Sequence, residues 1–327
     1  MRKLITALAV VVSLTFLVCG SVSALPITPF SMNNPYGNNI NTLGTQLAEL
    51  DWLPGSGLAV NANAANLPVD QPFEFLYQLK LGGIIDVNSH NLATPTLNGV
   101  QGTSTDPYEF TVVGRMWENA VGLGGWISTF TLAADPTAGL NPNMLEIYAD
   151  KYDGTGAWGQ QANVATGLGF DDGDLALSAV PISITSIFNV TDTTDPNGLP
   201  PVGGTGIPDN QDIGTGSAMV IYQVTAYDPD YFTFPWTTDP LLIAIQFDGT
   251  LTMPPAGVDT LAMWDGTAPD YYTGGGGTTP FNTEDLLFKL DGNSHFAPIP
   301  EPATMLLLGS GLLGLAGYAR RKSKKVS

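Results

Sequence analysis

The chain has 327 residues, with 30 Asp and Glu against 11 Lys and Arg, a formal net charge of −19 and one cysteine. Most of the basic residues lie at the two ends, so the part from residue 25 to residue 302 keeps four of them, Lys80, Arg115, Lys151 and Lys289, against all 30 acids. A surface this negative repels polyanions, which excludes nucleic acid as a partner.

The N-terminus has the three parts of a secretory signal peptide. Arg2 and Lys3 supply the charge, residues 4–18 are apolar, and Val22-Ser23-Ala24 is a small-residue exit. Since the apolar run is shorter than the roughly 20 residues of a membrane span, we expect the general secretion machinery to export the chain and residues 1–24 to be removed after Ala24. Cleavage there also removes Cys19, which excludes disulfides and thiolate sites. A lipoprotein anchored through Cys19 is a minor alternative.

The middle of the chain predicts a single domain over residues 41–297, preceded by an ordered arm or loose leader over residues 25–40. A short helix is plausible at residues 41–53. Elsewhere, apolar and polar residues alternate in segments separated by turn-rich stretches, which is typical of strands. The predicted strands are 73–81, 108–117, 126–132, 144–148, 175–190 with a break at Pro181, 217–227, 241–253 and 286–290.

This succession of strands predicts an all-β domain folded as an antiparallel sandwich or jelly roll. A parallel α/β fold is disfavoured, because no crossover helices are visible between the strands.

Catalytic motifs are scarce, and we expect the protein not to be an enzyme. His90 and His295 are its two histidines, and no nucleophile elbow, zinc-protease or phosphate-loop motif occurs. A glycoside hydrolase needs two carboxylates, and it remains an alternative. The glutamates on or beside the predicted strands are Glu74, Glu109, Glu118 and Glu146. Alternation places most of them on the solvated face of their strands.

Several Asp-rich loops have the hard oxygen donors and glycines that suit calcium. The first choice of ligands is Asp171, Asp172 and Asp174 around Gly173. Similar loops contain Asp150 and Asp153, Asp192 and Asp195, and Asp209 and Asp212. None fits the EF-hand pattern, so solvated acidic turns are the other interpretation.

Aromatic residues in the turn-rich segments are candidates for stacking on sugar rings. They lie in Gly-, Asp- and Pro-rich sequence outside the alternating strands, and they are Trp158, Trp236, Trp264, Tyr271 and Tyr272. A ring in a loop also often anchors that loop to the core, so both interpretations stay open.

The C-terminus has three blocks in a fixed order. Pro300-Glu301-Pro302 comes first, and residues 303–319 then form an uncharged apolar run rich in Gly and Leu. This run predicts a transmembrane helix, and the basic tail over residues 320–325 marks its cytoplasmic end. The tail's charges are Arg320, Arg321, Lys322, Lys324 and Lys325.

These blocks, over about residues 298–327, resemble the PEP-CTERM sorting domain of Gram-negative bacteria, which the membrane-embedded enzyme exosortase recognises. The resemblance implies that Pro300, Glu301 and Pro302 are the recognition triplet. It also implies that the chain is held transiently in the inner membrane and then reaches the cell surface or extracellular matrix.

Proteins with this domain tend to occur with exopolysaccharide production, biofilm and floc formation. The resemblance therefore implies a structural or adhesive role in such a matrix. A carbohydrate-binding module for the matrix polysaccharide is the alternative, and a secreted glycoside hydrolase is the second alternative.

Overall fold

The computed structural model describes an all-β domain. The residues it describes are 27, 29–32, 46–60, 72–94, 97–99, 107–124, 127–137, 139, 142–151, 161–164, 167–191, 213–235, 241–252, 262–264, 271–273 and 286–298. Within these ranges there is no helix, and the strands are β1 (Ser31–Met32), β2 (Leu47–Val60), β3 (Phe73–Asp86), β4 (Tyr108–Gly124), β5 (Ile127–Leu132), β6 (Met144–Lys151), β7 (Asp174–Thr191), β8 (Ile213–Tyr227), β9 (Phe232–Thr233), β10 (Leu241–Thr252), β11 (Ala262–Trp264), β12 (Tyr271–Thr273) and β13 (Leu286–Pro298).

Nine of these strands form one antiparallel sheet that closes on itself. Its order is β3-β2-β13-β10-β8-β7-β5-β4-β6, and further pairings of β3 with β4 and of β7 with β6 complete the ring. The all-β antiparallel prediction is confirmed. The predicted sandwich or jelly roll differs from this arrangement, because strand alternation defines which face is buried but not whether two faces belong to separate sheets or to one curved sheet.

Alternating side chains of the closed sheet fill its interior. In β3, Tyr77, Leu79 and Leu81 are fully buried inside the sheet, and the polar residues between them lie on its outer face. The hydroxyl groups of Tyr77 and Tyr222 are 2.8 Å apart, and that of Tyr222 donates to Met116 Sδ at 3.2 Å. The interior is therefore a packed core, in which the two tyrosine hydroxyls pair with one another.

One end of the closed sheet is filled by four phenylalanines, which we call the aromatic plug. Phe30 and Phe234 pack edge-on against Phe296 with ring centroids 4.7 and 4.8 Å apart, and Phe232 lies 5.9 Å from Phe296. Phe232 lies in β9, which pairs with β1, and Phe30 directly precedes β1. The plug buries apolar area that an open end would leave in water.

The outer face of β2, β3 and β4 is covered by a segment that we call the covering segment, residues 161–164 and 167–171. Its Phe170 and Ala162 are buried against Leu58, Leu76 and Val113 of the sheet. The hydroxyl of Thr111 donates to the carbonyl of Phe170 at 2.7 Å. Here the sheet is buried on both faces.

Two details of the sequence prediction need correction, and a third becomes more specific. The plausible helix at 41–53 is wrong over residues 46–53, which begin the strand β2; the spacing of the buried Leu47 and Leu50 imitates a helical period because the strand pairing is irregular there. The break at Pro181 is also wrong, because β7 continues past it with a shifted register that accommodates the missing N–H.

The third detail concerns the arm predicted for residues 25–40. Phe30 and Met32 of this arm are buried in the core, and Phe30 exchanges two backbone hydrogen bonds with Leu47. Residues 29–32 therefore belong to the packed domain, which extends to the N-terminal side of residue 41.

The described residues contain no helix long and apolar enough to cross a membrane. The predicted signal peptide at 1–24, the transmembrane helix at 303–319 and the basic tail at 320–325 lie outside the described residues.

Candidate functional site

The C-terminal sorting segment follows directly from the closed sheet. The last residue of β13, Pro298, pairs with Leu241 at the start of β10, and Phe296 of the same strand belongs to the aromatic plug. Pro300, Glu301 and Pro302 lie outside the described residues, two to four positions after Pro298. The candidate recognition triplet therefore leaves the domain at its plugged end.

Two buried ion pairs lie on the outer face of β3 and β4. Glu74 of β3 pairs with Arg115 of β4, with Oε1 and Nε 2.7 Å apart. Glu109 of β4 pairs with Lys80 of β3, with Oε2 and Nζ 3.4 Å apart. Two of the four basic residues in the exported part are thus used to neutralise buried glutamates.

Glu109 has the most elaborate surroundings of these groups. Its Oε1 accepts a hydrogen bond from the backbone N–H of Ala162 in the covering segment at 2.8 Å, and Asp150 faces it across the strand pair. Burial raises the pKa of Glu109, whereas that hydrogen bond and the charge of Lys80 lower it and favour the ionised form that the ion pair needs. Such a carboxyl resembles a general acid in its pKa, but its contacts tie the covering segment to the sheet.

Glu118 lies inside the closed sheet, on the same face of β4 as Met116 and Ala120. It is 3% exposed, and burial raises its pKa to about 8. The pKa of Tyr222 is also raised, mainly by burial, and the charge of Glu118 adds to that rise. A carboxyl in this position is held protonated by the low polarity around it.

The expectation that most strand glutamates are solvated is therefore wrong. Glu74, Glu109 and Glu118 are buried, and Glu146 is half-buried and accepts a hydrogen bond from Tyr148 at 2.6 Å. Alternation predicted an outer face correctly for Glu74 and Glu109. It did not show that the covering segment shields this face.

A sequence signal for the ion pairs was present. Glu74 and Lys80 have the same spacing in β3 as Glu109 and Arg115 in β4. When two strands run antiparallel, equal spacing brings each acid next to the base of the other strand.

The predicted calcium ligands lie at the start of β7. Asp174 accepts a hydrogen bond from the hydroxyl of Tyr231 at 2.7 Å. In the part of the chain that the structure describes, no three Asp, Glu, His or Cys side chains gather in a way that could hold a metal ion. Asp153, Asp192, Asp195, Asp209 and Asp212 of the other loops lie outside it.

Calcium at Asp171, Asp172 and Asp174 therefore stays a prediction. It requires a calcium-specific rise in melting temperature, on the order of 3 kcal/mol of stabilisation at a hundredfold excess over Kd. Sodium chloride at equal ionic strength should not reproduce the rise, and changing all three aspartates to Asn should remove it. Equal rises with both salts would mean that the aspartates form a solvated acidic surface.

The predicted sugar-binding aromatics divide into two groups. Trp158 and Trp236 lie outside the described residues. The other three belong to the hairpin of β11 and β12, where the register places Trp264 opposite Tyr271 and Met263 opposite Tyr272. β11 lies beside β2 and β3 of the closed sheet.

The domain and its C-terminal segment together define a class, namely exported all-β proteins that carry a sorting signal directly after the last strand. Residues 298–322 match the family model described as the PEP-CTERM protein-sorting motif. This motif implies that exosortase processes the chain, which is first anchored in a membrane and then exported. Neither a search of the curated proteins nor a search of the solved structures finds a match to this chain.

Proposed function

We propose that the protein is a non-enzymatic structural or adhesive component of an exopolysaccharide, biofilm or floc matrix on a Gram-negative cell surface. The observation that supports this most is the use of the strand carboxylates. Glu74 and Glu109 are committed to buried ion pairs, and Glu118 is enclosed in a packed core. Glu74 and Glu109 join β3 to β4 through these pairs, and none of the three carboxyls is exposed in the way that a hydrolase's acid–base pair must be.

A strain that lacks the protein tests the matrix role. We expect its flocs or biofilm to lose cohesion, measured as settling and as resistance to shear, and the full-length protein to restore it. Unchanged cohesion would contradict a structural role. Release of reducing sugar from the purified matrix by the protein would contradict the non-enzymatic assignment.

The sorting triplet carries the delivery step of this proposal. Replacing Pro300, Glu301 and Pro302 with alanine should leave an unprocessed, membrane-bound precursor, because the two prolines keep Glu301 extended and available to an enzyme in the membrane. Removing residues 298–327 should instead release the chain to the medium. Immunoblots of membrane, matrix and medium fractions distinguish the three locations.

The matched control for the triplet is an alanine substitution of Thr304, which lies in the apolar run after it. This variant should be processed as the wild type is. If the triplet variant is also processed and localised normally, the exosortase proposal is wrong for this chain.

A carbohydrate-binding role is the second candidate, and the register of β11 and β12 favours it. Opposite positions of an antiparallel pair are neighbours on one face, and Trp264 and Tyr271 occupy such positions. Changing both to alanine should reduce retention of the protein on matrix polysaccharide by roughly tenfold or more, since each stacked ring contributes on the order of 1 kcal/mol.

Tyr227→Ala is the control for this binding test, because Tyr227 is an exposed aromatic residue outside the hairpin. It should leave polysaccharide retention unchanged. If the wild-type protein does not bind the polysaccharide, the carbohydrate-binding role is contradicted and the structural role is not affected.

A further inference from the structure

The plugged end of the closed sheet is held close to the membrane in the anchored precursor. A trans peptide chain spans at most about 3.6 Å per residue, so Pro300 lies within about 7 Å of Pro298 whatever its conformation. By the same bound, Ala303 at the start of the apolar run lies within about 18 Å of Pro298. A membrane-embedded enzyme that binds Pro300–Pro302 therefore meets the plugged end of the domain at contact distance.

The end of β13 cannot easily detach from the sheet to lengthen this short connection. Residues Leu241 to Phe247 of β10 pair with β13 up to Pro298. Phe296 is fully buried, and Phe30 and Phe234 pack against its ring. Detaching the last residues of β13 would expose this ring and separate the plug, so the folded end itself is what the enzyme encounters.

The plugged end also exposes apolar side chains. Val87, Leu175 and Tyr227 are 44%, 46% and 41% exposed, and they lie just after β3, at the start of β7 and at the end of β8. The register places all three positions at the same end of the sheet as Pro298. Ile27, three residues before Phe30 of the plug, is 52% exposed.

Acidic residues surround these apolar side chains. Among the residues that the structure describes, the rim of this end has one lysine, Lys151 at the end of β6. Against it stand the aspartates Asp86, Asp172, Asp174, Asp228 and Asp230. Such a rim is repelled by an anionic lipid surface and is complementary to a protein surface with apolar and basic groups.

We propose that the plugged end, at Val87, Leu175 and Tyr227, is the surface that docks on exosortase while the sorting segment is processed. This rests on the proposed sorting by exosortase. The domain then contributes to recognition in addition to the triplet. It presents Pro300–Pro302 to the enzyme in one orientation and shortens the search for the productive geometry.

The test of this surface is the rate at which the full-length precursor is processed in the producing cells, measured by pulse-chase labelling. Val87→Ser with Leu175→Ser should slow conversion of the precursor roughly three- to tenfold, as is typical when interface side chains are truncated. Val180→Ser with Ile182→Ser is the matched control, because these two side chains are 39% and 48% exposed on the side of β7. The control should be processed at the wild-type rate.

A flexible linker shows whether slower processing of the variant comes from lost docking or from misfolding. Ten Gly and Ser residues inserted between Ile299 and Pro300 add roughly 18 Å of mean reach. When both chains carry this linker, the processing rates of the wild type and of the variant with Val87→Ser and Leu175→Ser should differ by less than about twofold. Equal rates without the linker, or an undiminished difference with it, would overturn the proposal.

Photo-crosslinking identifies the occupant of the surface. A photoreactive residue at position 87 should capture tagged exosortase, and one at position 180 should not. Capture of lipid alone at position 87 would assign the surface to the membrane and overturn docking on the enzyme. If the alanine triplet variant is processed normally, the sorting proposal itself fails; if the triplet matters but Val87 and Leu175 do not, only the docking surface is wrong.

Discussion

Gly114→Ala is expected to destabilise the domain by about 3 kcal/mol, at the upper end of what overpacking a core does. Gly114 lies on the inner face of β4, and a Cβ there would overlap the ring and hydroxyl of Tyr77. Tyr77 is fully buried, packs edge-on against Phe247 at 5.0 Å and pairs with the hydroxyl of Tyr222. The ring therefore has no free volume into which it can move, and urea unfolding of the purified protein measures the loss.

Gly83→Ala is the matched control, since it adds the same methyl group to β3. A Cβ at Gly83 would meet Asp51 at ordinary contact distances of 3.5 and 3.8 Å, and we expect a change within about 0.5 kcal/mol. Combining Gly114→Ala with Tyr77→Leu should give a loss smaller than the sum of the two, because the shorter side chain removes the overlap. Strict additivity would contradict the proposed clash.

Stability is expected to fall as pH rises from about 5 to 8. The folded domain keeps Glu118 protonated up to a pKa of about 8, whereas the unfolded chain releases that proton near the ordinary value of 4.5. Between these values the folded state binds more protons than the unfolded state, so each added pH unit favours unfolding. Glu118 alone contributes a slope of about 1.4 kcal/mol per pH unit in this window.

The variant Glu118→Gln measures how much this interior carboxyl contributes to the pH dependence of stability. The amide has nearly the same shape and does not ionise, so the variant should lose part of the pH slope and should be more stable than the wild type at pH 9. Melting temperatures at pH 5, 7 and 9 provide the comparison, and an unchanged slope in Glu118→Gln would show that this carboxyl is not the group that titrates.

Much of the fold could be predicted from alternation in the sequence. The pattern of Phe73, Phe75, Tyr77, Leu79 and Leu81 gave one face of β3 correctly, and the long strands from β4 to β13 were found in the same way. The C-terminal sorting motif was also predicted, because three blocks of different chemistry in a fixed order are specific even without structure.

The elements that escaped prediction depend on distant partners. β1 and β9 have two residues each, and they are strands because Phe30 and Phe232 meet in the plug across most of the sequence. The first residues of β2 resemble a helix in sequence, because irregular pairing breaks their alternation. Such short or irregular strands have little local signal, and tertiary packing decides their structure.

The candidate site shows the same division. The triplet and basic tail follow from local sequence, whereas the burial of Glu74, Glu109 and Glu118 depends on the covering segment and on closure of the sheet. Aspartates in loops and aromatics near Gly and Pro have several possible surroundings, so sequence alone could not decide between a ligand and a turn or between a sugar platform and a core anchor.

The closed sheet has a consequence for the proposed matrix role, in which many copies would lie close together outside the cell. Each of its nine strands has a neighbour on both sides, as the pairing of the described residues shows. An open sheet would offer a row of unpaired N–H and C=O groups on which another copy could add as a further strand. Because β3 pairs with β4 and β6 pairs with β7, the nine-stranded sheet removes that template, so copies can crowd at a surface without polymerising through its strand edges.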